Sequence, residues 1–213
     1  MIGIGTSLLF DRRAGKAGPP IPPFNEAMVD AWFMSGLSNI DKPSSIKGVM
    51  GNEMALKNFS YALNSGFSEG ALVFDGVDDY GICTGLPILD DYTVICRRVL
   101  ENNTKNVVAG NGAFIFEYAN NATYSFSEYT SGLNMNLKDS VSYQTKNSYN
   151  GSVITVGTAN DTDTLTLGII REKDSRLLKG AIYYFALYDK SLTPEEIETE
   201  KERLNEEWLK RKN

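Results

Sequence analysis

Glu196, Glu198 and Glu200 stand at alternate positions. That is the spacing by which a β-strand aims paired acids into one cleft for glycoside hydrolysis. The residues just before them argue against this use. Thr193-Pro194 followed by Glu196 is a capping box with proline at the first helical position. On a helix, positions i and i+2 do not share a face, so the three acids read as a solvated helical surface. Earlier in the chain, Glu117 and Glu128 are the carboxylates of note, and neither has a companion at catalytic spacing in its own run. The 213 residues include no histidine, which removes Ser-His-Asp triads, Cys-His dyads and histidine-ligated zinc together. Two cysteines, Cys83 and Cys96, can make one bridge or none, and are too few for a structural zinc site. Both lie in strand-like runs and read as small buried apolar residues. With no phosphate-binding loop, dinucleotide fingerprint or nucleophile motif, no catalytic residue is assigned, and the chain reads as a non-enzyme.

Two kinds of binding chemistry are left. Asp75, Asp78 and Asp79 offer hard oxygen ligands that could hold calcium, but the same residues suit a structural turn, and no other cofactor is expected. The Asn-Asp-Thr-Asp loop at 160–163 reads the same way. Sugar recognition needs an exposed ring to stack on a pyranose, with amides or carboxylates to fix its hydroxyls. Tyr118, Asn120, Asn121, Tyr129, Asn147 and Tyr149 could supply this from loops.

The elements that would position these groups are strands. Between residues 71 and 190, about ten short runs rich in β-branched and aromatic residues recur at close spacing. Turn chemistry separates them, at Asp75-Gly76, Asn111-Gly112, Asn120-Asn121, Ser131-Gly132, Asn150-Gly151 and Asn160-Asp161. This pattern predicts an all-β sandwich or jelly roll. In residues 181–188 both alternating faces are apolar or aromatic, which predicts a central strand covered on both sides. A single C-terminal helix is predicted over 193–212, docked by Ile197, Leu204 and Trp208, with basic residues in its last turn.

The rest divides in two. Residues 25–70 are ambiguous: the alternation over 27–34 suits a strand or a short helix, and 42–48 reads as loop. Residues 1–24 carry six glycines and prolines between 15 and 23, which predict an extended arm outside a folded domain of 25–213. Ile2, Ile4, Leu8, Leu9 and Phe10 give the arm apolar side chains suited to docking on a neighbour; the alternative is a plain terminal tail. The basic residues Arg12, Arg13 and Lys16 follow the apolar stretch, the reverse of the secretory order, so a product that stays in its cell or leaves by lysis is expected. A net charge of −6 disfavours nucleic acid as a partner, and no window is apolar enough to predict membrane insertion.

Two stretches carry a resemblance. Ala-Leu-Val-Phe-Asp-Gly-Val-Asp-Asp-Tyr at 71–80, and the run from Leu178 through Tyr188-Asp-Lys-Ser-Leu-Thr-Pro-Glu-Glu to Ile197, are similar to the opening and closing motifs of laminin-G-like (concanavalin A-like) domains. The resemblance covers roughly residues 30–200. Family members often carry an Asp-x-Ser-Gly-Asn-Gly-like turn near residue 50; here Lys47-Gly-Val-Met-Gly-Asn52 keeps Gly51-Asn52 but lacks the acid, which weakens a metal role for that turn. The segment 32–59 also resembles laminin-G-like virion proteins of phages of gut Bacteroidales. The resemblance implies a concanavalin A-like jelly roll and a non-catalytic structural or adhesin protein of a bacteriophage head or tail. Such a protein would be made in the host cytoplasm, would contact other virion proteins or copies of itself, and would bind host surface glycan if it binds one. The alternative it leaves open is a carbohydrate-binding module of a bacterial surface protein.

Overall fold

The computed structural model describes residues 24–62, 64–102, 106–158, 162–170 and 176–213. The apolar residues of the predicted arm, Ile2, Ile4, Leu8, Leu9 and Phe10, and the Asn160-Asp161 turn lie outside the described residues.

Sixteen described strands precede one helix. The first six are β1 (Met28–Phe33), β2 (Ser45–Lys47), β3 (Glu53–Lys57), β4 (Gly66–Ser68), β5 (Ala71–Asp75) and β6 (Tyr80–Cys83). Next come β7 (Thr93–Leu100), β8 (Val107–Gly110), β9 (Phe114–Tyr118), β10 (Ala122–Ser125) and β11 (Glu128–Thr130). The last are β12 (Ser140–Thr145), β13 (Ser148–Tyr149), β14 (Ser152–Val153), β15 (Leu165–Leu167) and β16 (Lys179–Tyr188), followed by α1 (Pro194–Lys212). They form two eight-stranded antiparallel sheets. The first runs β14-β13-β12-β7-β16-β5-β4, with β1 also paired to β16; the second runs β11-β10-β9-β8-β15-β6-β3-β2. The fold class is therefore the all-β sandwich with one C-terminal helix that the strand pattern predicts.

Two apolar layers hold it together. The larger lies between the sheets and includes Trp32, Phe74, Val94, Phe114, Phe116, Leu167 and Phe185. The smaller lies between the first sheet and α1, where Ile197, Leu204 and Trp208 meet Phe33, Ile95, Tyr184, Ala186 and Tyr188. This explains the apolar character of β16 on both faces: Phe185 and Leu187 enter the inter-sheet core, while Tyr184, Ala186 and Tyr188 lie under the helix. The cap of α1 is as predicted. Thr193 accepts from the Glu196 backbone, and the Glu196 carboxylate accepts from the Thr193 N–H at 2.8 Å. Trp208 anchors the far end by donating Nε1–H to the Gly70 carbonyl at 2.8 Å.

Several expectations need correction. The ambiguous stretch at 27–34 is strand β1, paired to β16. The loop expected over 42–48 contains edge strand β2, held through Ile46, its one fully buried residue. Between residues 152 and 157 only Ser152–Val153 is strand. Glu200 is not on a solvated face: it is buried and accepts hydrogen bonds from Tyr188 Oη at 2.9 Å and from Arg203. Position 200 is three residues after Ile197 and four before Leu204, which puts it on their buried stripe. The acid missing from the turn near residue 50 comes from elsewhere in the chain. Buried Asp30 on β1 accepts from the Met50 N–H at 2.9 Å and the Asn52 N–H at 2.8 Å. Gly48 makes room for it, since a Cβ there would lie 2.3 Å from the Asp30 carboxylate. Cys83 and Cys96 are buried free thiols, in line with the apolar reading.

Candidate functional site

The register of the second sheet lines up one residue from each of its eight strands. Ser45 lies opposite Ala55, Ala55 opposite Ile82, Ile82 opposite Thr166 and Thr166 opposite Gly110. The row continues from Gly110 to Ile115, Tyr124 and Tyr129. Directly opposed residues of antiparallel strands share a face. Cys83, Phe114, Leu165 and Leu167, the sequence neighbours of this row, enter the core, so the row faces outward.

Over its middle lies a cavity of about 820 Å³. Ile82, Ile115 and Tyr124 line it as apolar and aromatic surface, and Asn111, Ser127, Thr162, Thr164 and Thr166 supply polar groups. Most of these polar groups are tied down. Asn111 donates to the Thr164 carbonyl at 2.9 Å and accepts from the Ala113 N–H at 3.0 Å. Thr166 donates to the Ile169 carbonyl at 2.6 Å. A floor already hydrogen-bonded in this way is pre-organised, which lowers the entropic cost of fixing a ligand.

At one end the cavity meets a cluster of three tyrosines. The ring centroids of Tyr118 and Tyr124 are 5.2 Å apart, those of Tyr124 and Tyr129 5.1 Å, and those of Tyr118 and Tyr129 6.3 Å. Tight turns place them. Phe126 and Ser127, both at positive φ, close β10 onto β11 and set Tyr129 opposite Tyr124. Asn120 and Asn121, also at positive φ, turn β9 into β10 beside Tyr118. From behind, Gln144 of the first sheet donates to the Tyr124 carbonyl at 2.9 Å and to Tyr92 Oη at 2.6 Å, and Tyr92 donates to Ser125 Oγ at 3.0 Å. Tyr129 is 43% exposed, whereas Tyr118 and Tyr124 are half-buried. Burial, with Tyr129 beside it, holds the Tyr124 phenol above its ordinary pKa.

Of the residues expected to bind sugar, Tyr118, Asn120, Asn121 and Tyr129 gather at this end of the second sheet. Asn147 is exposed on the hairpin between β12 and β13 of the first sheet and does not join them. Tyr149 is a correction. It is buried between the sheets, packs against Phe116 with ring centroids 6.2 Å apart, and donates to Glu117 Oε1 at 2.7 Å. Ile82, Ile115, Thr166 and Tyr124 carry no sequence motif. Alternation marks each as outward, but only strand order brings them together.

The carboxylates of Asp75, Asp78 and Asp79 lie within 4.8 Å of one another, the one such acidic group among the described residues. Two of the three organise the turn itself. Asp75 Oδ1 accepts from the Val77 N–H at 2.7 Å, and buried Asp79 accepts from Ser65 Oγ at 2.9 Å and from the Asp75 N–H at 3.0 Å. Burial pushes the Asp79 carboxyl up to about 6, with Asp75 and Asp78 adding to the rise. No helix among the described residues is long and apolar enough to cross a membrane.

No protein-family model matches the chain, and no curated protein sequence does. Solved structures do. A Trypanosoma rangeli sialidase in complex with 2,3-difluorosialic acid superposes with a TM-score of 0.57 at 16% identity, over 92% of this chain and 35% of that one. The same sialidase in complex with sialic acid gives 0.55 at 16% identity, over 85% and 33%. The receptor binding domain of botulinum neurotoxin C/D mosaic serotype gives 0.52 at 11% identity, over 80% and 50%. The chain thus spans about a third of the sialidase chain and half of the neurotoxin one. At these identities the likeness is one of architecture, and it shows a β-sandwich fold.

Proposed function

We propose that this chain is a non-catalytic, glycan-binding β-sandwich that serves as an adhesin or structural module of a virus particle. One observation carries the binding half: a pre-organised cavity on the outer face of the second sheet, hydroxyl-rich and flanked by Tyr124 and Tyr129. Rings of this kind stack on pyranose faces while hydroxyls and amides meet the sugar oxygens. The receptor-binding role named for the neurotoxin domain, which shares the architecture, supports the same reading.

The non-catalytic half rests on the lining. Among the described residues that line the cavity there is no aspartate or glutamate, so the carboxylate pair of most glycosidases has no counterpart among them. Tyr124 is a poor nucleophile, because its phenol is shifted away from the phenolate. The virion setting rests on the sequence: the resemblance over 32–59 and the apolar residues of the Gly/Pro-rich arm.

A glycan array probed with the intact protein and with Tyr129→Ala tests the binding claim. A glycan bound by the first and lost by the second is expected; turnover of any glycan by the intact protein would refute the non-catalytic part. Mass spectrometry of purified particles tests the setting, and recovery from bacterial envelopes instead would favour a cell-surface module.

A further inference from the structure

We propose that the cavity on the second sheet takes an internal stretch of an uncharged glycan chain, lying across the strands, and not a terminal acidic sugar. This rests on the glycan-binding reading above and adds the class of ligand.

Charge favours a neutral ligand. Recognition of a carboxylate-bearing sugar in a partly desolvated site calls for a cation, usually an arginine fork. Among the described lining residues there is no arginine or lysine. Three cations among the described residues of this sheet and its surroundings are placed otherwise. Arg176 sits over the Tyr118 ring, 5.0 Å from its centroid, and does not line the cavity. On the outward face at the far end of the sheet, Lys47 lies opposite Glu53, and Lys57 opposite Tyr80. Glu128, beside Tyr129, is exposed, and the chain carries a net charge of −6, so the surrounding field repels anions.

Shape favours a chain over a single sugar. The outward row crosses all eight strands from Ser45 to Tyr129, on the order of 30 Å at ordinary strand spacing. The 820 Å³ cavity lies near the upper end of the usual ligand-pocket range of about 300–1,000 Å³. Tyr124 lines one end, with the exposed Tyr129 ring 5.1 Å from it, and Thr162, Thr164 and Thr166 supply hydroxyls to the lining. A single sugar would engage one end only, whereas a chain of several would use both.

The test is calorimetric titration of the intact protein with cellohexaose, maltohexaose and mannohexaose, with their monosaccharides, and with hexamannuronate and sialyllactose as acidic probes. The expected result is that a neutral hexamer binds at least about tenfold more tightly than its monosaccharide and than either acidic probe. Its affinity should hold at high salt and fall about tenfold or more in Tyr129→Ala. Tighter binding of an acidic probe, weakening with salt and lost in Tyr129→Ala, would overturn the inference while leaving the glycan-binding reading intact. A monosaccharide that binds as well as its hexamer would do the same. If neither class binds, the glycan-binding reading itself fails.

Discussion

Arg98 on β7 and Glu117 on β9 form an ion pair that joins the two sheets through the middle of the sandwich, and both side chains are fully buried. Glu117 belongs to a strand whose Phe114 and Phe116 enter the core, so simple alternation would point it outward. Its φ of +53° turns it inward instead. Ser142 Oγ at 2.8 Å and Ser140 Oγ at 2.7 Å accept from the Arg98 guanidinium, and Tyr149 donates to Glu117, so the pair is well satisfied. Tyr118, the first ring of the tyrosine cluster, follows Glu117 directly.

Removing one partner strands the other charge in the core. Glu117→Ala should therefore destabilise the protein by about 3–5 kcal/mol in urea unfolding. Replacing both, Arg98→Met with Glu117→Leu, should recover most of that loss. If the double variant is no more stable than Glu117→Ala, the cost lies in the backbone of β9 and not in the unpaired arginine.

The helix offers a graded pair. Thr193→Ala removes the cap and should cost about 1 kcal/mol. Trp208→Ala removes a buried ring that meets Tyr183 edge to face, with Arg97 4.5 Å above it, and should cost roughly 3–5 kcal/mol. Near-neutral melting of Trp208→Ala would show that the helix end is undocked in solution.

Asp79 should make stability depend on pH. Its carboxyl titrates at about 6 in the fold, against about 3.9 when unfolded, so between those values the folded state binds the extra proton. Its contribution is therefore most favourable below about pH 4 and is lost as pH rises through about 6. Asp79→Asn should be more stable relative to the parent at pH 7 than at pH 4, measured by thermal melts across that window. A difference that does not vary with pH would mean Asp79 titrates normally.

Phe24 packs on the layer beneath α1, with the Arg203 guanidinium 6.0 Å from its ring, so a clean truncation ends at residue 23. Deleting residues 1–23 should leave the circular dichroism spectrum unchanged and the melting temperature nearly so, while abolishing assembly with neighbouring subunits. A truncated chain that unfolds would make the arm part of the sandwich. One that folds and still assembles would make it a simple tail.

The elements fixed by local chemistry could be read from the sequence. The Thr193-Pro194-Glu196 cap, the Asp75-Gly76 turn and the two-faced strand ending at Tyr188 each depend on neighbours within a few residues. Features that depend on distant partners could not. Glu200 and Tyr149 read as surface residues because Tyr188 and Glu117, which satisfy them, lie 12 and 32 positions away. Strands β2 and β4 have three residues each, too short for alternation to register. The site was legible in part: Tyr118 and Tyr129 stand in loop-like runs, but Ile82, Ile115 and Thr166 join them only through strand order.

The central claim is that glycan binds the outward face of the second sheet at Tyr124 and Tyr129. It is tested most directly by recording amide chemical-shift changes as a neutral hexasaccharide bound by the protein is titrated in. The account predicts that the largest changes map to Gly110, Ile115, Tyr124, Tyr129 and Thr166, and that Tyr129→Ala suppresses them. Changes centred instead on the Asp75–Asp79 turn or on α1, with the tyrosine cluster undisturbed, would contradict it.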